Sequence, residues 1–286
     1  MRPCGNPVQH LGRNGDNMNS EELAWKIRKH SIDMVHESHA SHIGAALSAA
    51  DILAVLYAEV MNINPENPDS DDRDRFVMSK GHAGVAVYSV LAEMGVFPVE
   101  WLSTYYQNGS NLSGHISHKN VPGVEISTGS LGHGCVMACG MAMAAKSADK
   151  RHHVYTLVGD GECNEGSVWE MAMIASRFKL DNFTVIVDRN GMQAMGYCED
   201  IMPTSPMASK WESFGWSVTE VEDGNNHEQL RRAFAISSTG KPKCIIANTV
   251  KGKGISFMEN NLLWHYRDPQ GEFYEKAIKE LEACRP

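Results

Sequence analysis

The sequence reads as an α/β protein, a parallel sheet flanked by helices. Three observations predict this. An apolar run at 154–158, Val-Tyr-Thr-Leu-Val, leads directly into Gly159-Asp160-Gly161. A second at 183–187, Phe-Thr-Val-Ile-Val, leads into Asp188-Arg189-Asn190. Residues 165–178 between them have the length and pattern of a helix. The unit is then strand, loop, helix, strand, which implies a right-handed crossover on a parallel sheet. Both polar loops fall at the carboxyl ends of neighbouring strands, where open α/β sheets bind ligands.

The other elements follow in chain order. Asn19 or Ser20 caps a first helix, with Glu21 and Glu22 in its opening turn and Leu23, Ile27, Ile32 and Val35 as its apolar stripe. Residues 38–46 read as a small-residue loop and 51–61 as a second helix. A short strand at 75–79 runs into Lys80-Gly81-His82, and helix returns at 83–94. The stretch 107–130, rich in Gly, Asn and Ser, reads as a loop that wraps a site. A small-residue helix is expected at 134–146. Strands are expected at 216–221 and 244–250, with a helix at 226–237 between them and a charged, amphipathic helix at 272–283. There is no internal repeat, low-complexity tract or linker.

Composition narrows the function. At 286 residues, 42% of them apolar, the chain is long enough for one large α/β domain or two small ones, with a substantial core. A net charge of −9 argues against a nucleic-acid binder and means that local groups must draw in any anionic substrate. The seven cysteines are odd in number and irregularly spaced, which indicates reduced thiols in the cytoplasm rather than a disulfide framework. Cys135 and Cys139 stand one helical turn apart with no second Cys/His pair and read as core packing. No run reads as long enough to span a membrane. Residues 1–18 are polar, without an apolar signal core, and read as a flexible leader. That leaves 19–286 as the folded domain.

The two loops carry the chemistry of a metal-bound diphosphate. Asp160 offers a carboxylate and Asn190 a neutral amide oxygen, and Mg²⁺ favours one or two protein carboxylates completed by phosphate oxygens. Gly161 lets the backbone approach a diphosphate closely. The bend at Gly191 aims the main-chain carbonyl of Met192 at the same ion. Asp-Gly and Asn-Gly are each common in turns. Their placement at successive strand ends, Asp160 and Asn190, favours the metal.

This pattern resembles the thiamine diphosphate signature. Gly159 to Gly166, with Glu170 after it, is most similar to transketolases, and the resemblance runs from about Asn19 to His265. It implies the thiamine diphosphate-binding fold (the PP domain) and Mg²⁺, replaceable by Ca²⁺ or Mn²⁺, on Asp160, Asn190 and Met192. It also gives meaning to four histidines, three of them beside Gly or Ser in loops (His42, His82, His115) and one, His265, after Leu263-Trp264; each alone reads as an ordinary surface or core histidine. By resemblance His42 contacts substrate and cofactor, and His82 the diphosphate. His115 takes the ketol end of the donor, and His265 reaches both diphosphate and substrate. His42, His115 and His265 are thus the expected catalytic residues, since imidazole can donate to an anion or pass a proton near neutrality. Gly129, Ser130 and Leu131 match the segment that touches the thiamine rings. Glu165 and Glu170 match acids that link paired active sites near a dimer interface, although by position alone they are ordinary helix N-terminal carboxylates. The chain departs from the family at Ser130, often Pro, at His133, often Gln, and at Tyr266, where Gly often follows the histidine.

The resemblance covers only the diphosphate-binding domain. The pyrimidine-binding and C-terminal domains, which carry the activating glutamate and the groups that hold the substrate's terminal phosphate, have no counterpart in the sequence. It therefore implies the N-terminal subunit of a split transketolase that passes a two-carbon ketol unit from a ketose, expected to be phosphorylated, to an aldose. A C-terminal subunit completes the site, in a heterotetramer. The alternatives are the alpha subunit of a 2-oxo acid dehydrogenase, which Glu165-Gly166 and the four histidines disfavour, and a non-catalytic subunit retaining the fold. A dinucleotide site fails on spacing, because Asn164 stands where a third glycine is needed.

Overall fold

The β-branched and aromatic runs form the sheet. In a computed structural model that describes residues 19–286, five strands pair in parallel, in the order β1-β2-β3-β5-β4. They are β1 (Arg75–Met78), β2 (Val154–Gly159), β3 (Phe183–Arg189), β4 (Ser217–Val221) and β5 (Lys243–Asn248). The register pairs Gly159 with Asp188, so the two loops read from the sequence leave the sheet side by side. The leader expected at 1–18 lies outside the described residues.

The helices are α1 (Ser20–Ser38), α2 (Ile43–Val55), α3 (Gly84–Glu93), α4 (Gly134–Ser147), α5 (Gly166–Arg177), α6 (Cys198–Ile201), α7 (Met207–Ser213), α8 (His227–Ala235) and α9 (Glu272–Ala283). Because strand side chains alternate between faces, the sheet feeds two cores. Tyr155, Leu157, Ile186 and Ile245 pack with the buried stripes of α1, α2, α3, α8 and α9. Val154, Val158, Val185, Val187 and Ile246 pack with α4, α5 and α7. Asn19 is the cap of α1, its side chain accepting from the Glu22 amide at 2.7 Å. Asn226 caps α8 in the same way through the Gln229 amide at 3.0 Å.

Two expectations change. The sequence places a loop at 38–46 and a helix at 51–61, but α2 begins at Ile43 and passes at Val55 into a π-helical turn over Leu56–Val60. The small residues Ala45, Ala46, Ala49 and Ala50 suggest a loop only when exposed. Here every residue of α2 is buried, and alanine is the best helix former. The combined run Ile43–Val60 is also long and apolar enough, by length and composition, to cross a membrane, contrary to the sequence reading, and 89% of it is buried inside the fold.

Candidate active site

The carboxyl ends of β2 and β3 bring Asp160 and Asn190 together through their backbones. Asp160 is 2% exposed. Its Oδ1 accepts from the Gly161 amide at 2.8 Å and its Oδ2 from the Gly191 amide at 2.6 Å, so the carboxylate is aimed by both loops. Asn190 is oriented from two sides, its Oδ1 accepting from the Met192 amide at 3.2 Å and its Nδ2 reaching Asp188 at 3.4 Å. The bend that Gly191 permits has φ +76°. A Cβ on Gly161 would come within 2.8 Å of the Gln193 side chain, so glycine is also the residue that lets these two loops close on each other.

Two buried lysines stand on this floor. Lys80, 1% exposed, pairs with the fully buried Asp188 and donates to the Ala45 carbonyl at 3.1 Å. Burial works to raise the Asp188 pKa, but the Lys80 charge and hydrogen bonds from Lys80, Ser48 and Thr249 hold it below the usual carboxylate range. Lys251, 3% exposed, has no carboxylate within bridging distance among the described residues. It donates to the Met192 carbonyl at 3.2 Å and to His265 Nδ1 at 2.9 Å. Burial and the neighbouring Lys80 charge push Lys251 down to about 8. Burial and the Asp188 charge push Asp160 up. One buried acid thus lacks a cation and one buried base lacks an anion in the same place. That complementary deficit suits a divalent cation on Asp160 and a phosphate group near Lys251. Among the described residues no three His, Cys, Asp or Glu side chains gather as a metal cluster. The expected ligand set contains one carboxylate, an amide oxygen and a main-chain carbonyl.

All four expected histidines converge. His42 is the hub, its ring centroid 5.1 Å from His82, 5.7 Å from His115 and 5.1 Å from His265. His42 occupies the left-handed region, φ +70°, as the cap of α2, and its amide donates to the His265 carbonyl at 2.8 Å. The imidazoles of His42, His82 and His265 are held neutral. Burial, then the charges of His115 and Lys251, pushes His42 down to about 4. Burial, then Lys251 and His42, pushes His265 down to about 3. Burial, then Lys80, holds His82 well below the ordinary value. The Lys251 ammonium at Nδ1 of His265 leaves the proton of that neutral ring on Nε2.

The segment carrying Gly129, Ser130 and Leu131 is drawn in beside this cluster. Ile116 donates to the Gly81 carbonyl at 3.0 Å and Thr128 to the Ile116 carbonyl at 3.2 Å, which sets the His115 loop between the other two. A Cβ on Gly81 would meet the Thr128 carbonyl oxygen at 2.4 Å, so only glycine admits this approach. The buried Glu162 carboxylate ties the segment down. It accepts from the Gly132 amide at 2.9 Å, the Gly159 amide at 3.1 Å and the Ser79 hydroxyl. Glu165 and Glu170 are exposed, at the start and along the outside of α5, and His133 is exposed at the start of α4. Cys135 and Cys139 are buried and unbonded, as the packing reading expects.

The sequence reading missed Lys251, Lys80, Asp188 and Glu162 as parts of the site. The available signal was position: Lys80 and Lys251 also follow strands at their carboxyl ends. A separate cavity of about 490 Å³, lined by Arg73, Arg75, Glu125 and Met141 among others, opens at the opposite, amino end of β1.

The family described as transketolase, thiamine diphosphate binding domain, matches residues 19–268. The chain belongs to the transketolase family. It is 42% identical to an apulose-4-phosphate transketolase subunit of Actinobacillus succinogenes, over 92% of this chain and 95% of that protein. It is 41% identical to a 6-deoxy-6-sulfo-D-fructose transketolase subunit of a Clostridium species, over 90% of this chain and 94% of that one. The crystal structure of Campylobacter jejuni transketolase superposes with a TM-score of 0.86 at 34% identity, over 94% of this chain and 43% of that one. Against human transketolase the identity is 37%, over 91% of this chain and 42% of the human protein. This transketolase-family chain thus corresponds to the diphosphate-binding part of the long enzymes and to nearly the whole of the relatives named as single subunits.

Proposed function

We propose that this chain is the N-terminal subunit of a heteromeric transketolase that moves a two-carbon ketol unit from a ketose to an aldose with thiamine diphosphate and Mg²⁺. The observation that carries this reading is the packing of His82, His115 and His265 around His42, joined to the Asp160–Asn190 loops through Lys251. Bound thiamine diphosphate supplies the nucleophile and electron sink for breaking and making a carbon–carbon bond beside a carbonyl. Asp160, Asn190 and the Met192 carbonyl hold the cation. Gly161, His82 and Lys251 receive the diphosphate, and Gly129, Ser130 and Leu131 flank the rings. His115 takes the ketol end of the donor. His42 and His265, neutral and so able both to donate and to accept, bind the reacting oxygens and carry protons. The relatives named for apulose-4-phosphate and 6-deoxy-6-sulfo-D-fructose support a sugar bearing a terminal phosphate or sulfonate.

The surface supports an assembly. Val136 and Met137 on α4, with Met173, Ile174 and Phe178 on and just after α5, form an exposed apolar face beside Glu165 and Glu170. We assign it to contact between two copies of this chain, which would place the two acids between paired sites. Met195 and Tyr197, which follow the Asn190 loop, and Leu263, two residues before His265, are exposed and are assigned to the C-terminal subunit. The unbonded thiols among the described residues fit a cytoplasmic protein. The reading is tested by assaying the reconstituted pair with ketose phosphates and, separately, with 2-oxo acids. Ketol transfer with ketoses alone is expected. Turnover of 2-oxo acids alone, or no turnover, contradicts it.

A further inference from the structure

Tyr266 is 62% exposed, yet its ring is not free. It packs edge-on against His265 at 4.6 Å and against His42 at 5.4 Å. The backbone beneath it is fixed, because the His265 carbonyl accepts from the His42 amide at 2.8 Å. The ring therefore stands over the open side of the histidine cleft. Of the four rings around His42, two are exposed, His115 at 5.7 Å and Tyr266 at 5.4 Å. A donor held at His42 therefore has both His115 and Tyr266 within one ring's reach. A tyrosine there offers an apolar wall for the C–H face of a sugar and a hydroxyl that can donate or accept.

We infer that Tyr266 is a specificity-determining residue, which contacts the donor sugar beyond the ketol unit and selects donors by the length and configuration of that part. This rests on the transketolase reading and deepens it. Neutral His42 and His265 are common to any ketol donor, because they meet the atoms all such donors share. Tyr266 meets the atoms in which donors differ.

The test uses the complex of this chain with its C-terminal partner, bearing wild-type Tyr266, Tyr266→Phe or Tyr266→Gly. Turnover is measured with five-, six- and seven-carbon ketose phosphates at one fixed acceptor. Loss of the hydroxyl in Tyr266→Phe is expected to raise the donor KM about threefold to tenfold with kcat within about twofold. Loss of the wall in Tyr266→Gly is expected to change the kcat/KM ratio between the longest and shortest donors by about tenfold. Thiamine diphosphate affinity, followed by tryptophan fluorescence, stays within about twofold in both. Donor ratios unchanged in Tyr266→Gly, with KM unchanged in Tyr266→Phe, overturn the inference and leave the transketolase reading intact. Lost activity that tracks lost assembly in sedimentation overturns it in favour of a contact between subunits. A wild-type complex that transfers no ketol unit contradicts the functional reading itself and takes the inference with it.

Discussion

The ammonium of Lys251 lies 3.2 Å from the main-chain carbonyl of Met192, the oxygen assigned to the divalent cation. A buried positive charge thus rests against a cation ligand without an anionic partner of its own, which prepares it to receive a diphosphate. Replacing it tests that role. Lys251→Met keeps the stem's volume and removes the charge. It should weaken thiamine diphosphate binding by about 10- to 100-fold, the range of a charge-assisted hydrogen bond to phosphate. Without ligand the variant should melt at or above the wild-type temperature, because an uncompensated buried charge has gone. Titration calorimetry and thermal melting on the same sample decide this. Undiminished affinity would remove Lys251 from the site.

The histidine cluster predicts how stability depends on pH. His42 and His265 are held at about 4 and about 3, below the unfolded value of about 6.5. Below that value the unfolded chain takes up protons that the folded chain refuses. Their contribution is therefore complete above about pH 6.5 and is lost progressively as the pH falls, by up to about 1.4 kcal/mol per unit for each proton. Asp160 and Glu162, which burial raises, act in the opposite sense within their own titration range. Melting temperatures between pH 7.5 and 5 should fall, and fall less in His42→Gln/His265→Gln. Parallel curves for the two proteins would contradict the neutral-imidazole assignment.

Glu162 holds three segments with one carboxylate. Glu162→Ala leaves the Gly132 and Gly159 amides and the Ser79 hydroxyl without their acceptor. It should cost about 2–4 kcal/mol in urea unfolding, with Glu162→Gln costing less because one oxygen remains. Both should weaken cofactor binding by loosening the 129–132 segment. A loss under about 0.5 kcal/mol for the alanine variant would mean that the segment is held by packing alone.

The residues legible in the sequence are those whose environment is local. Asp160 and Asn190 can be placed because each directly follows an apolar run, and period and turn chemistry reveal strand ends. His42, His82 and His115 can be named because each sits beside Ser or Gly, and the family resemblance adds His265 and gives all four their roles. Their convergence on His42 depends on contacts between loops far apart in the chain, which no local pattern encodes. Glu162 stands inside the Gly159–Gly166 motif without a role of its own in the sequence, whereas its hydrogen bonds tie it to Ser79, 83 positions away. Lys80 stands beside His82 with no visible role, because its partner Asp188 lies 108 positions on. The start of α2 escapes the sequence for a related reason: whether an alanine-rich stretch is loop or helix is decided by burial against α1 and α3, a tertiary property.

The most direct test is a thiamine diphosphate titration of the complex with its C-terminal partner, with Mg²⁺ and again after chelation, for the wild type and Asp160→Asn. Saturable binding that requires Mg²⁺ in the wild type and is lost in Asp160→Asn, while the variant's unliganded melting temperature holds or rises because a buried carboxylate of raised pKa has been removed, is the expected result. Tight binding to Asp160→Asn, or wild-type binding indifferent to the metal, would contradict the claim that this chain anchors the cofactor through a cation at Asp160.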